Sequence, residues 1–449
     1  MDNYIVEPQR KIPVTAEADL CVVGGSCTGV FAAVRAARMG LRVVLVERMN
    51  MLGGAATLGL VNIWHTLLDT DDRQQIIAGL TEEVLALLRV RGALTDRNNR
   101  STSYNFNPSE LAILLDELVK ENKIQLKLHT SYAAVIAEGS VVQSIIIENK
   151  DGRQAIRAKF FIDASGDGFV ARDLAIPSYT NEYIQPPTAC FHLQGCMDGV
   201  KLGELVREHG SEFGLDDDWG WSTHVAGCEG ITMRADQHIF GLRCDRADDL
   251  TAAEMEGRRQ ARAFVAMLQK YGRDDTNYAL TNLCSSLGLR ETVHYRTRFT
   301  ASELPLLTGE RYDAPIMNGT YPVDIHHASG GGISFKYLDG SRHTVWGKGT
   351  RTERGNWREE LGITGEPAKF YQVPFDLLVG EEYANFIAAG RMLNADMSAY
   401  GALRVMVNLN QLGEAAGTAA ALCLDSGTPL QALDGRRVTE ALRKGGSAL

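Results

Sequence analysis

Residues 19–29 read Asp19-Leu20-Cys21-Val22-Val23-Gly24-Gly25-Ser26-Cys27-Thr28-Gly29, and the unit closes on Val43-Val44-Leu45-Val46-Glu47. The apolar run ending at Val23 predicts a strand, the glycines a sharp turn, and the stretch from about Val30 to Met39 a helix. A second apolar run then ends on an acid. This order is the sequence form of a dinucleotide site. The helix start directs free N–H groups at a pyrophosphate, and a carboxylate about 20 residues on accepts hydrogen bonds from ribose hydroxyls. Gly24, Gly25, Ser26, Cys27, Thr28, Gly29, Glu47 and its neighbour Arg48 are therefore the first candidate cofactor contacts. The middle glycine of G-x-G-x-x-G is replaced by Ser26, whose side chain is small enough to fit and whose hydroxyl can donate to phosphate. An ordinary strand-helix-strand unit without a nucleotide is the alternative.

Working outward, Leu52-Gly53-Gly54-Ala55-Ala56-Thr57-Leu58-Gly59 is a loop of small residues that lets a flat ring system approach the backbone. Pro108 begins a packing helix with Leu111, Leu114, Leu115 and Leu118 at helical spacing. Strands are expected over Leu126–His129, Ser140–Glu148 with the Asp151-Gly152 turn, and Lys159–Gly168. From about Asn181 to Phe370 aromatics, histidines and acids mix. Two glycine clusters, 330–332 and Gly347-Lys348-Gly349, read there as mobile loops. A helix from Ala252 to Tyr271 sets Met255, Ala261, Phe264, Val265 and Leu268 on one side. At Tyr371 the strand pattern returns, and an alanine- and glycine-rich helix from about Arg404 to Ala421 follows. Such a helix packs closely, so the tail is expected to complete the first domain.

The chain of 449 residues can bury a large core and suggests two domains. Its 56 acids outnumber 46 lysines and arginines, giving a net charge of −10, which argues against a nucleic-acid surface. The first residues lack the apolar stretch of a signal, and no apolar run reaches bilayer length. A soluble, cytoplasmic protein without membrane partners is expected. Eight cysteines without a C-x-x-C pair fit reduced thiols better than disulfides or zinc, so no metal is expected.

Four segments together resemble the FAD-dependent oxidoreductases of the glutathione-reductase-like flavoprotein superfamily. They are Gly24–Gly29 with Glu47, Leu52–Thr57, Phe161-Ile162-Asp163-Ala164-Ser165-Gly166-Asp167-Gly168, and Ala388-Ala389-Gly390-Arg391 with Ala395-Asp396 and Arg404 to Gly417. Leu287–Thr292 and Tyr321–His326 look like middle segments of that family. The resemblance implies FAD as cofactor in an α/β, Rossmann-like domain with a parallel sheet, interrupted by an inserted α+β substrate domain. The first would comprise residues 1–180 and 371–449, the second 181–370. It extends the cofactor-binding set to Gly53, Gly54, Ala55, Ala56, Ala164, Gly166, Asp167, Gly390, Arg391, Asp396, Arg404, Val405, Asn408 and Gly413. A reduced flavin becomes anionic, so Arg391, Arg404 and the helix start near Asn408 to Gly413 are expected to supply positive charge and N–H groups. Asp167 and Asp396 either bind sugar hydroxyls or cap helices.

Flavin hydride chemistry needs a proton carrier, and histidine suits that task. His326 and His327 come first, because in an extended segment one faces the flavin while the other faces away; a loop histidine bonded to backbone is the alternative. Arg290 would clamp a substrate carboxylate or pair with Glu291. His65 would approach from the other side, Tyr400 would close over the ring, and Tyr321 is a weaker relay candidate. The leading expectation is hydride transfer between a small organic substrate and flavin N5, with an electron acceptor and an oligomeric state that no motif identifies. Three further classes stay open: a monooxygenase, suggested by Asp167-Gly168 followed by Arg172; a redox-neutral isomerase or hydratase; and a tRNA-modifying flavoprotein, which the acidic balance disfavours.

Overall fold

The structure, a computed structural model, describes residues 4–96, 104–347 and 349–449. Lys348 of the second glycine cluster and the first three residues of the chain lie outside that set.

Strand β1 (Val14–Val23) enters the core with Leu20, Cys21 and Val22 completely buried. Helix α1 (Cys27–Arg38) follows, then β2 (Val43–Val46), buried along its whole length. Continuous apolar runs of this kind belong to a parallel sheet covered on both faces. β1 lies between β2 and a later strand and is parallel to both. Helix α2 (Pro108–Glu121) starts where the sequence places it, because Asn107 accepts hydrogen bonds from the N–H groups of Ser109 and Glu110 and Pro108 opens the first turn. β3 (Gln125–Lys127) extends the sheet beyond β2. β4 (Ser131–Glu138), β5 (Val141–Asn149) and β6 (Gly152–Asp163) form an antiparallel meander on the other side. β6 also runs parallel to β1. The strand Phe386–Ala388, from the far end of the chain, adds in parallel to the last residues of β6.

The tail helix anticipated from small residues spans Met406–Ser426. It packs on α1 backbone against backbone. A Cβ added to Gly413 would sit 2.2 Å from the Thr28 carbonyl oxygen, and one on Gly417 would sit 2.2 Å from that of Ala32. Glycines four residues apart share one helix face, which is what allows this approach. Gly413, expected at the cofactor, is therefore a packing position. Buried Arg35 of α1 pairs with buried Glu414 of the tail helix, and Glu414 also accepts the Leu80 N–H at 3.0 Å.

Between these segments lie two antiparallel four-stranded sheets. One orders Trp221–His224, Ile231–Ala235, Phe191–Gln194 and Ala279–Leu283. Helix α3 (Ala247–Tyr271) covers it with Ala261, Phe264, Val265 and Leu268. Met255, expected on that packing side, is 64% exposed. Gly257 comes so close to the Ala189 side chain that an added Cβ would stand 2.5 Å from it, so the contact there is made without a large side chain. The other sheet orders Val323–His326, Gly332–Lys336, Ser341–Trp346 and Arg351–Asn356. The first glycine cluster is the tight turn joining its first two strands. Pro315–Gly319 lies within the span 181–370, yet it pairs with Tyr371–Pro374, and its Ile316 and Met317 join the same core as α1 and the tail helix.

Candidate active site

The glycine turn after β1 is shaped by backbone crowding. Gly24 has φ +105°, and a Cβ on it would stand 2.4 Å from the Ala164 carbonyl oxygen at the end of β6. A Cβ on Gly29 would stand 1.9 Å from the carbonyl oxygen of Gly24. No side chain fits at either place. Helix α1 starts with Ser26 as N-cap, but the Ser26 hydroxyl makes no capping bond and no acid occupies the first turn. The leading N–H groups are thus left to the cleft that Ser26, Cys27 and Thr28 line, which is what an anion requires. Ser26 itself is accommodated by Gly54, with φ +55°, where a Cβ would lie 2.9 Å from that of Ser26. The side chain absent from one wall of the turn is present on the other.

Glu47 lines the same cleft and braces the turn: its carboxylate accepts the Gly25 N–H at 2.6 Å and the Met49 N–H at 2.8 Å. Exposed Arg48 stands beside it. Burial pushes the Cys27 thiol up to about 12, so Cys27 shapes the wall without being a nucleophile. Gly25, Gly29 and Ala56 do not face the cleft; they give the turn and the 54–56 loop their close packing.

The cleft, about 570 Å³, continues past Gly53, Gly54, Ala55, Ala164, Gly166 and Asp167 to Gly390, Arg391, Arg404 and Val405. Asp167 takes a 2.5 Å hydrogen bond from Arg391 and one of 3.3 Å from Thr292. Asn410, near the start of the tail helix, is fully buried and lines the cleft with neither its amide nitrogen nor its oxygen hydrogen-bonded. A buried amide in that state costs about 1–3 kcal/mol unless a ligand supplies its partners. An uncapped helix start, a glycine cradle and an orphaned amide along one groove fit a long molecule carrying phosphates and a polar ring, as FAD does.

Two expected cofactor contacts are engaged elsewhere. Asp396 caps the helix Met397–Leu403, accepting the N–H groups of Ala399 and Glu303 at 2.8 Å each. Asn408 donates to Tyr371 Oη and to the Ala402 carbonyl, both at 3.0 Å, inside the core.

At the far end of the cleft the sequence candidates meet. His326 is buried and lines the wall, with Nε2 3.3 Å from Asp324 Oδ1; Arg404 lies 3.2 Å from the same oxygen. Arg404 is near enough for charge attraction, and neither it nor His326 is aligned as a hydrogen bond to that oxygen. The other carboxylate oxygen of Asp324 accepts the Tyr321 hydroxyl at 2.5 Å, and the Tyr321 ring packs on His65 with centroids 4.1 Å apart. Burial, with the charges of Arg290 and Arg404, holds His326 well below the usual imidazole range. Its imidazole is therefore neutral, and Nδ1 has no hydrogen-bond partner. The same desolvation and the Asp324 charge raise Tyr321 well above the usual phenol range. Arg290 donates to the Pro186 carbonyl at 2.7 Å and to Thr188 Oγ1 at 2.8 Å. Its expected alternative partner, Glu291, instead pairs with His294 at 3.0 Å.

His327 points away from the cleft, as alternation along a strand requires, and bonds Ser334 at 2.9 Å. Tyr400 is fully buried and donates to the Arg290 carbonyl at 2.6 Å, so it supports the Arg290 backbone instead of closing over a ring. Sequence reasoning missed Trp219, Trp221, Phe335, Tyr337 and Asn410, all of which line the cleft. Trp219-Gly220-Trp221, which holds two of the five tryptophans of the chain in three residues, was the available signal. Nothing local marks Asn410.

Among the described residues, no group of three or more His, Cys, Asp or Glu is placed to hold a metal ion, and no helix is long and apolar enough to cross a membrane.

The chain is similar in sequence to a mitochondrial dihydrolipoyl dehydrogenase of Schizosaccharomyces pombe, at 27% identity over 219 residues. That match covers 44% of this chain and 39% of the relative, so it spans about two fifths of the relative's length. Solved structures of low similarity include a geranylgeranyl bacteriochlorophyll reductase-like protein from Thermoplasma acidophilum, with a TM-score of 0.46 and 11% identity, covering 96% of this chain and 82% of that one. Another is p-nitrophenol 4-monooxygenase from Pseudomonas putida, with a TM-score of 0.43 and 11% identity, covering 95% and 84%. The model of the family described as FAD dependent oxidoreductase matches residues 19–442, nearly the whole chain, and the protein with this glycine turn and cleft belongs to that family of FAD-dependent enzymes.

Proposed function

We propose that the enzyme exchanges a hydride between a small organic substrate and FAD N5, with His326 carrying the accompanying proton. The observation that carries this reading is the state of His326: a neutral imidazole in the cleft wall, with one nitrogen beside Asp324 and the other without a partner. When bound, FAD supplies the two-electron acceptor or donor, chemistry that amino-acid side chains lack. Gly24, Ser26 and the start of α1 would hold its pyrophosphate, Glu47 its ribose, and Gly53, Gly54, Ala55 and Asn410 its ring end. The chain's own part in the reaction is proton management and exclusion of water. His326 accepts a proton from a substrate hydroxyl or amine, and Asp324 favours the charge that forms on it. Tyr321, hydrogen-bonded to Asp324, stays protonated and keeps that carboxylate in place. Trp219 and Phe335 bound the same end and limit access of solvent. The electron acceptor, a small molecule or a partner protein, belongs to the same proposal. So does a cytoplasmic setting, which the free cysteines support.

The test is anaerobic mixing of the purified flavoprotein with pools of small metabolites, following loss of oxidised-flavin absorbance. His326→Gln is expected to retain FAD at wild-type affinity and to slow flavin reduction by about 10²–10⁴-fold. Reduction at the wild-type rate in that variant would remove His326 from the chemistry. If flavin reduction required a pyridine nucleotide, and molecular oxygen were then consumed with the substrate, the monooxygenase class would replace this one.

A further inference from the structure

Two guanidiniums share the substrate end of the cleft, and the protein answers them incompletely. Arg290 is held by a carbonyl and a hydroxyl, and among the described residues no carboxylate pairs with it. Arg404 has one carboxylate within reach, that of Asp324, whose second oxygen is engaged by Tyr321. The Arg404 Nε is buried with no hydrogen-bond partner. Desolvation and the neighbouring Arg404 charge pull Arg290 down to about 10, and both arginines push the His326 proton off. Two guanidiniums lining one end of the cleft beside the Asp324 carboxylate leave a surplus positive charge there, which attracts an anion. Leaving a buried guanidinium without a counter-charge is costly, and its forked donors match a carboxylate better than any neutral group does.

The wall beside these charges is aromatic. Trp219 lies 6.0 Å from Phe335 and 5.7 Å from His326, ring centre to ring centre, and Phe335 lies 6.0 Å from Tyr337. Such a surface takes the apolar, preferably planar, part of a small molecule.

We propose that the substrate is a small organic acid whose carboxylate is gripped by Arg290 and Arg404 while its carbon skeleton lies against Trp219 and Phe335. This inference rests on the reading of the cleft as an FAD-linked substrate site. Held in that way, the acid brings its reacting carbon beside His326 and supplies the charge the two arginines lack.

The experiment compares acids with their amides on the FAD-loaded protein: acetate with acetamide, lactate with lactamide, benzoate with benzamide, and sulfate as a bare anion. Binding is read by calorimetry and by quenching of tryptophan fluorescence. At least one acid is expected to bind about tenfold or more tighter than its amide, equivalent to ~1.4 kcal/mol. Benzoate should be weakened more than acetate by Trp219→Ala. Arg290→Gln should abolish the preference with FAD occupancy unchanged, and Arg290→Lys should restore part of it. The inference is overturned if no acid outbinds its amide, if sulfate binds as well as every acid, if the preference survives both Arg290→Gln and Arg404→Gln, or if Arg290→Gln releases FAD instead of the acid. Failure of the wild-type protein to hold FAD would sink the reading of the site itself, whereas a flavin-loaded, reducible protein indifferent to acids would sink this inference alone.

Discussion

The two ends of the cleft are made of different materials. At the nucleotide end the limit is backbone: a Cβ on Gly24 would stand 2.4 Å from the Ala164 carbonyl oxygen, and behind the turn one on Gly29 would stand 1.9 Å from that of Gly24. At the other end the walls are side chains, with Tyr321, His326 and Arg404 around the Asp324 carboxylate and Arg290 held by the Pro186 carbonyl and the Thr188 hydroxyl. A backbone wall tolerates almost no added atom, because relief would require moving whole strands. A side-chain wall tolerates substitution but loses its chemistry. Variants at the first end should therefore lose cofactor and fold together, and variants at the second should stay coloured and lose turnover.

The largest effect is expected from Gly29→Val, whose Cβ has nowhere to go but into the Gly24 carbonyl. Soluble protein should fall and the fraction recovered should carry no FAD; a yellow, soluble variant would break the contrast. Gly54→Ala is next. It places a Cβ against that of Ser26 at a positive φ, for a cost of about 1–3 kcal/mol. Adding Ser26→Gly should recover the steric share and leave the backbone strain, so the double-mutant cycle should show a coupling of ~1 kcal/mol by chemical denaturation. Additive losses would mean that Ser26 and Gly54 do not compensate one another.

Acid should act through buried histidines. His326 is held well below its ordinary range and His192 at about 4, both first by burial. The unfolded chain takes up protons below pH 6.5 that the folded chain refuses. Stability is thus complete above pH 6.5 and falls as pH drops from there toward 4, by up to ~1.4 kcal/mol per pH unit for each such histidine. Melting temperatures across that window should drop less steeply in His326→Gln. The smallest effect is expected for Asp396→Ala, which removes a helix cap worth ~1 kcal/mol. FAD affinity should be unchanged, since Asp396 is engaged with Ala399 and Glu303. Loss of FAD there would restore Asp396 to the cofactor wall.

Legibility followed the same divide. The strand-turn-helix unit, the Gly53-Gly54 loop and the tail helix were readable because each signal lies in consecutive residues. Close approach of backbone leaves no choice but glycine or alanine. Asn408, Gly413 and Asp396 were drawn into the cofactor set because they lie in cofactor-like sequence. Three dimensions give them a core hydrogen bond, a helix-helix contact and a cap. Tyr400 was misplaced for the same reason. Near Arg290 the pairing was decided by packing: Glu291 meets His294 in the core, which leaves Arg290 to the cleft.

The sequence by itself determined where backbone segments come too close for a side chain, at the turn after β1 and along the tail helix. Steric exclusion is written one residue at a time, and a glycine states its reason locally. Only the tertiary structure decided which charges face one another across the cleft, which of two adjacent histidines looks inward, and which tryptophans line it. Those outcomes depend on segments far apart in the chain being desolvated together, and the strength of a buried charge is set by the company that folding provides.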